Sequence, residues 1–309
     1  IDDYEFIGDS NTIVKVKQLI DKVAPTSSRV IIYGESGTGK DLVAKEIHKK
    51  SKYSDGNFII VNSALMEPDG IEEELFGLEE NSRIIKQGFF EQANNGTLFI
   101  DEIGDMPIQT QSKILRFLTD SSFYRVGSNV PVNVNARLLC SSSENLEKLV
   151  EDGNFRMDLF HRLNVVSITL PKLSDRTQDI DELIEYFSKI YSSNANSIIS
   201  DLRDYIKTDY MNYDWPGNVR ELRNIIERYC IIGGKITENE KKLDGGFNSK
   251  NVISMPLKNA RRIFEKNYLE SQIQRFNGNI SKTASFIGME RSALHRKLKQ
   301  LGISIDNKE

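Results

Sequence analysis

The sequence predicts an α/β protein: a doubly wound, mostly parallel sheet, then a helical subdomain, then a separate all-α module. Three observations carry this. Short apolar runs alternate with amphipathic helical patterns as far as Pro171, and beyond it the strand-like runs stop. The charge also divides: residues 257–309 hold 11 Lys and Arg against 5 Asp and Glu, while residues 1–256 hold 30 against 40.

Taken in order, Val30–Tyr33 in "RVIIYGESGTGKDLVAKEIHKKS" is a short buried-strand run, followed by a glycine loop and a helix expected from about Asp41. "NFIIVNS" is the second strand, "GTLFIDEI" the third, "NARLLCSSS" and "VVSITL" the fourth and fifth. "MPIQTQSKILRFLTD" has helical spacing between them. "RTQDIDELIEYFSKIY" and "NVRELRNIIERYCII" are amphipathic helices beyond the last strand. "GGKITENEKKLDGGFNSKN" has the composition of a linker. The expected boundaries are 1–171 for the α/β part, 172–235 for the helical subdomain, 236–254 for the linker and 255–309 for the basic module.

The 309 residues are 39% hydrophobic and 28% charged, an ordinary globular balance. No apolar run is long enough to cross a bilayer, and no secretory leader is visible, so a cytoplasmic protein with no membrane partner is expected. Cys140 and Cys230 form no CxxC pair, which fits a reducing compartment. His48, His161 and His295 are scattered and suggest no metal cluster. The chain starts at Ile1 rather than Met, so further N-terminal material is expected. The basic tail on an acidic body points to a phosphate-rich partner.

Gly34, Glu35, Ser36, Gly37, Thr38, Gly39 and Lys40 satisfy GxxxxGK between a strand and a helix. Such glycines let backbone N–H groups close around phosphates at a helix N-terminus, and the lysine reaches the β- and γ-phosphates. Asp41 stands where Ser or Thr usually meets the metal. Asp101 and Glu102 end the "TLFIDE" strand at the sheet edge where ligands bind. Asp101 is expected to hold Mg²⁺ with ATP, and Glu102 to polarise the attacking water.

With these motifs in place, the chain resembles the NtrC family of AAA+ ATPases, the bacterial enhancer-binding response regulators. The resemblance rests on "FIGDS", "GESGTGKD", "ELFG", "GTLFIDEIGDMP", "QSKILRFL", "FRMDLFHRLNVV", "WPGNVRELRN" and "RSALHRKL". It implies an AAA+ P-loop domain with a parallel sheet and helical lid, followed by a Fis-type helix-turn-helix. It assigns Asn62 to orienting Glu102, Arg156 and Arg162 to reaching a neighbouring subunit's ATP, and Arg220 to sensing nucleotide from the lid. The six-residue spacing of Arg156 and Arg162 suggests similar faces of one helix. Ser142-Ser143 stand where the family has Thr-Asn or Thr-His, and Asp41 where it has Glu. ATP binding is expected to survive both changes; the hydrolysis rate is more exposed to them.

"FGLEENSRIIKQGFF", Phe76 to Phe90, shows no helix or strand period. In the family a loop bearing GAFTGA follows "ELFG" and contacts the sigma-54 form of RNA polymerase. Here the connection is shorter, without GAFTGA, and Glu79, Glu80, Arg83 and Lys86 offer a polar surface instead. That absence resembles the NtrX-like branch. The resemblance implies an N-terminal receiver domain, outside this sequence, paired with an NtrY-like histidine kinase.

In the tail, Leu257, Ala260, Ile263, Phe264, Tyr268 and Ile273 fall near one helical face and suggest a dimerisation helix. "ISKTASFIGMERSALHRKLKQLG" has the pattern helix, turn at Gly288, helix. Arg291, Ser292, His295 and Arg296 lie early on the second helix, where base edges are reached. Lys282, Lys297 and Lys299 are expected at phosphates. A dimer would favour palindromic double-stranded DNA sites, and the family implies hexamers or heptamers on assembly. The expected function is a two-component transcriptional regulator whose AAA+ domain governs self-assembly without sigma-54 remodelling, with weak ATP hydrolysis. The alternative is a sigma-54-dependent activator that opens promoters through a divergent loop and so engages RNA polymerase.

Overall fold

The computed structural model describes residues 4–68, 70–192, 195–210, 213–232, 265–266, 268–269, 273, 280–289 and 291–301. The chain forms two compact units, residues 1–235 and residues 236–309. In the first, the elements run α1 (Asn11–Val23), β1 (Val30–Tyr33), α2 (Lys40–Lys49), β2 (Phe58–Asn62), α3 (Ile71–Phe76), β3 (Leu78–Glu80), β4 (Arg83–Lys86), α4 (Phe89–Gln92) and β5 (Thr97–Asp101). They continue with α5 (Ile108–Asp120), β6 (Ser122–Tyr124), β7 (Pro131–Asn133), β8 (Arg137–Ser142), α6 (Leu146–Glu151), α7 (Met157–Leu163) and β9 (Val166–Thr169). Three longer helices follow, α8 (Ile180–Tyr191), α9 (Ala195–Asp209) and α10 (Asn218–Ile232).

The strands β2, β5, β8, β1 and β9 form one parallel sheet in that order. These are the five strands the sequence predicts. Their runs are almost wholly apolar because both faces are covered. Ile31, Ile100 and Cys140 enter one layer with Leu75, Phe90 and Phe117. Val30, Ile32, Phe99 and Leu139 enter the other with Ile20, Val43 and Ile47. On that side α1 buries Ile13, Val16, Ile20 and Val23 at helical spacing. The end of α1 is closed by buried Arg137, which donates to the carbonyls of Ala24 at 2.7 Å, Val23 at 2.9 Å and Ser28 at 3.2 Å.

Register brings the site residues to one edge. Asn62 lies beside Asp101 across β2 and β5, and Tyr33 beside Ser142 across β1 and β8. Gly34, Glu102 and Ser143 therefore leave the sheet together at its carboxyl end, where open α/β sheets hold ligands.

The stretch without visible period is structured. β3 and β4 pair antiparallel as a hairpin, contrary to the loop expected from the sequence. Its connection, Asn81-Ser82, has φ of 49° and 63°, both positive, as a type I′ turn requires. The period is invisible because β4 is exposed throughout, so Ile84 and Ile85 follow each other with no inward face to enforce alternation. The base of the hairpin is clamped. Arg125 forks onto Glu91 with two bonds of 2.8 Å and reaches Glu79 at 3.0 Å. The Val126 backbone accepts from the Glu79 N–H and donates to the Gly77 carbonyl, both at 2.9 Å. Lys86 pairs with Glu74. A second short hairpin, β6 with β7, is also absent from the sequence reading.

Beyond β9 the described elements are helical, and α8, α9 and α10 pack around Leu183, Leu202, Tyr205, Leu222 and Ile226. In the second unit, α11 (Ile280–Ile287) and α12 (Arg291–Leu301) pack through Ala284, Leu294, Leu298 and Leu301. Gly288 turns between them at φ 72°. The expected linker 236–254 and the expected dimerisation positions Leu257, Ala260, Ile263 and Phe264 lie outside the described residues.

Glu79, Glu91 and Arg125 are each only 11% exposed at the side chain, so the clamp is a shielded charge network. Arg125→Ala strands two carboxylates and is expected to destabilise the first unit by about 3 kcal/mol, measured as a lower urea midpoint. The triple variant Glu79→Gln, Glu91→Gln, Arg125→Met removes the charges together and is expected to recover most of that loss.

Candidate functional site

β1 feeds the glycine loop into α2, which begins at Lys40, one residue before the expected start. Gly39 caps α2 at φ 100° and brings no side-chain acceptor to its N–H groups. Gly37 has φ 80°, and a Cβ there would collide with the Gly217 carbonyl oxygen of the helical subdomain. Thr38 is buried and its hydroxyl donates to the Glu35 carbonyl at 2.7 Å. Lys40 is buried: its ammonium donates to the Gly34 carbonyl and to Glu102 Oε1, both at 2.8 Å. Asp41 is exposed in the first turn of α2, beside the same cavity.

Asp101 ends β5 and Glu102 follows it with φ 54° and ψ 54°, a left-handed backbone costing a non-glycine residue about 1 kcal/mol or more. The Glu102 N–H donates to Ser141 Oγ at 3.0 Å, while the Ser141 hydroxyl donates to Asp101 Oδ1. The two carboxyls are pushed apart. Burial raises Asp101, and the neighbouring Glu102 charge adds to that against the Ser141 hydrogen bond. Burial also works against the Glu102 charge, but the Lys40 and Ser143 hydrogen bonds overcome it and hold Glu102 below the usual carboxylate range.

Asn62, which the resemblance assigns to Glu102, meets the neighbouring Asp101 here. Its amide donates to Asp101 Oδ2 at 3.0 Å, and its Oδ1 accepts from the Ala64 N–H at 3.0 Å. The reason is register, since Asn62 and Asp101 are paired residues of adjacent strands. Glu102 is bound by Ser143, whose N–H and hydroxyl both donate to Oε2 at 2.8 Å.

The helical subdomain closes over the loop. Arg220 donates to Ser36 Oγ at 2.9 Å. Asn218, fully buried at φ 50°, donates to the Ser36 carbonyl at 3.1 Å and Glu35 Oε2 at 3.3 Å, and accepts from the Leu173 N–H at 2.8 Å. Lys172 pairs with Glu35 at 2.7 Å. Buried Arg176 donates to the Thr38 carbonyl at 3.2 Å, and burial lowers its guanidinium from the usual value. These contacts border a cavity of about 500 Å³ lined by Lys40, Asp41, Asn62, Asp101, Glu102 and Arg220, with Tyr4 and Arg223 among the further residues. Sequence reasoning missed Asn218, Arg176, Ser143 as a Glu102 ligand, and Arg223. Single polar residues in helical or loop runs carry no local signal of such contacts.

Arg156 and Arg162 are apart from this cavity. Arg156 is the N-cap of α7 in extended conformation, so the two do not share a helical face as their spacing suggested. Arg156 forks onto Asp158 at 3.0 and 2.8 Å and reaches Ser112 Oγ at 3.0 Å. Arg162 donates to Thr119 Oγ1 at 3.2 Å. In the second unit, Lys282, Arg291 and Arg296 are exposed. Lys297 pairs with Glu265 at 2.9 Å rather than standing open to a phosphate. The side chains of Ser292, His295 and Lys299 lie outside the described set.

Comparison with known proteins follows the same division. Residues 6–169 match the family described as the Sigma-54 interaction domain, 174–251 the AAA+ ATPase lid domain, and 260–301 the Fis family of bacterial regulatory proteins. The chain is 41% identical to the nitrogen assimilation regulatory protein NtrX of Azorhizobium caulinodans, over 97% of this chain and 69% of that protein. It is 35% identical to the DNA-binding transcriptional regulator NtrC of Proteus hauseri, over 97% of this chain and 70% of the relative. The crystal structure of NtrX from Brucella abortus in complex with ATP matches with a TM-score of 0.68 and 43% identity, over 97% of this chain and 69% of that one.

Asn218→Ala leaves the buried Leu173 N–H without its acceptor and puts alanine in a left-handed backbone. It is expected to cost about 2 kcal/mol in denaturant unfolding and to speed exchange of the Leu173 amide roughly tenfold.

Proposed function

We propose a function from one premise: this chain belongs to the NtrC family of AAA+ regulators, in its NtrX-like branch. It is a DNA-binding transcriptional regulator whose AAA+ domain binds ATP with Mg²⁺ and uses it to control self-assembly, without sigma-54 remodelling. The observation that carries the nucleotide reading is the convergence of Lys40, Asp101, Glu102 and Arg220 on one cavity under a glycine loop. A relative of 43% identity holds ATP in its crystal structure, which supports the same reading.

The residues fit such a ligand. Gly34–Gly39 and the uncapped start of α2 present backbone N–H groups, and Lys40 adds a shielded ammonium. Asp101, with Asp41 nearby, would hold Mg²⁺; among the described residues no cluster of three His, Cys, Asp or Glu side chains could hold a metal by itself. Bound Mg²⁺ and ATP would supply the γ-phosphate and neutralise its charge. Glu102, kept ionised by its partners, is the base that orients a water. Arg220 closes the lid over the loop. Arg156 and Arg162, held only by exposed partners on their own subunit, are free to turn to a neighbour's nucleotide and so couple ATP to assembly. The domains are taken as 1–171 and 172–235 for the ATPase, 236–254 for the linker and 255–309 for the DNA-binding module.

The tail binds double-stranded DNA, with Arg291 and Arg296 at base edges and Lys282 at phosphate. Paired tails favour palindromic sites. No described helix is long and apolar enough to cross a membrane, and the working compartment is the cytoplasm. An NtrY-like histidine kinase is the upstream partner. The clamped hairpin with its Asn81-Ser82 turn stands where the family has GAFTGA, and this favours regulation without promoter remodelling. The test is open-complex formation with sigma-54 polymerase, where no ATP-dependent opening is expected; robust opening overturns this part of the reading.

Lys40→Ala is expected to abolish binding of a fluorescent ATP analogue while leaving operator binding by the tail within about twofold, measured by gel shift. Arg162→Ala is expected to lower steady-state ATP turnover roughly tenfold or more with little change in ATP affinity. Turnover should also rise steeply with protein concentration; a flat dependence would show that no second subunit completes the site.

A further inference from the structure

We propose that the helical subdomain carries a second ligand site, apart from the nucleotide cavity, that takes a primary amine borne on an apolar body. The site is a cavity of about 530 Å³ between the Leu173–Asp179 segment, α8, the end of α9 and the loop that leads into α10. It shares no lining residue with the cavity around Lys40. Its size is that of small-molecule pockets, roughly 300–1,000 Å³.

The lining sets the ligand class. Ile184, Ile206 and Trp215 are buried and make an apolar floor. Tyr210 stacks on Trp215 with ring centroids 5.2 Å apart, and Tyr213 stands edge-on to both. These rings belong to the core of the helical subdomain or pack against it, yet they leave the space beside them open. The rim is charged and holds two carboxylates, Asp181 and Asp214, against one ammonium, Lys207. Lys207 and Arg203 meet Asp181 at 3.5 Å each, with exposed side chains, so water screens those pairs and the carboxylate can be shared. An incoming ammonium gains from the excess of carboxylate and from the aromatic faces. The floor asks for a hydrocarbon body behind it.

The wall of the cavity is a loop in an unfavourable shape. Trp215 has φ 51° and Asn218 φ 50°, left-handed backbone that non-glycine residues seldom adopt and that recurs at ligand sites. Glu221 ties the loop: Oε1 accepts from the Tyr213 hydroxyl at 2.5 Å and Oε2 from the Gly217 N–H at 2.9 Å. The other side of the same loop covers the glycine loop, where the Arg220 N–H donates to the Gly37 carbonyl at 3.3 Å. An occupant held against Trp215 and Tyr213 therefore stiffens a segment whose Gly217 amide reports on it.

Trp215 is the only tryptophan of the chain, and its single indole resonance in heteronuclear NMR spectra reads the site directly. The probes are phenethylamine and isoamylamine, with phenethyl alcohol and phenylacetate as uncharged and anionic controls. Each amine is expected to shift the indole saturably, with a Kd of about 1 mM or below, and to bind at least about fivefold tighter than either control. Exchange of the Gly217 amide is expected to slow about threefold or more. Asp181→Asn with Asp214→Asn, both at exposed positions, is expected to weaken amine binding roughly tenfold with the unfolding midpoint nearly unchanged. A saturating ATP analogue is expected to leave the amine on Trp215. No saturable shift with either amine, equal binding of the alcohol, or unchanged affinity in the double variant overturns the proposal. So does competitive displacement by the analogue, which would put the amine in the nucleotide cavity. If the double variant does not fold, Lys207→Met decides: removing the competing ammonium is expected to keep or raise amine affinity, and its loss overturns the proposal.

Discussion

The structure turns on the buried contact between Lys40 and Glu102. Its partners come from different elements: Lys40 from the first position of α2, Glu102 from the residue after β5. In the sheet β8 lies between β1 and β5, so Ser141 and Ser143 fall where they can hold Asp101 and Glu102. Removing either ion would leave the other shielded and unpaired, a larger cost than the pair is worth as a bond. The strand order, the glycine loop and the left-handed Glu102 backbone together bring these two charges into contact. The opposite movements of Asp101 and Glu102 follow as well: the carboxyl with the ammonium stays ionised, and the one left with hydroxyl and amide donors is pushed up by burial.

The five sheet strands were legible because burial on both faces writes them as unbroken apolar runs. Lys40, Asp101 and Glu102 were legible because each sits at a fixed offset from such a run. What escaped was set by neighbours distant in sequence. Ser143 is one serine among three until β5 and β8 are seen side by side. Asn62 goes to Asp101 because their strands pair in register, which no local pattern records. Arg156 looked helical by spacing, yet it is the residue that starts α7 from outside. Lys297 looked like an open cation, yet Glu265 lies within 2.9 Å of it.

The hairpin illustrates the other kind of failure. Alternation reveals a strand only when one face is inside, and β4 has no inside face. Its order comes from elsewhere: two adjacent positive-φ residues at the turn and a shielded arginine at the base. Exposed Ile84 and Ile85 are therefore held in place by charges some distance away rather than by their own burial. A stretch maintained in this way is a built element.

The arginines at and on α7, Arg156 and Arg162, and the lysine under the loop present opposite electrostatic conditions. Arg156 and Asp158 are both substantially exposed, so water screens their attraction and letting go costs little. Lys40 and Glu102 are shielded, and any anion that draws the ammonium away must replace what the carboxylate gave it. The exposed arginines, released at little cost, are suited to a contact that forms only when another surface arrives.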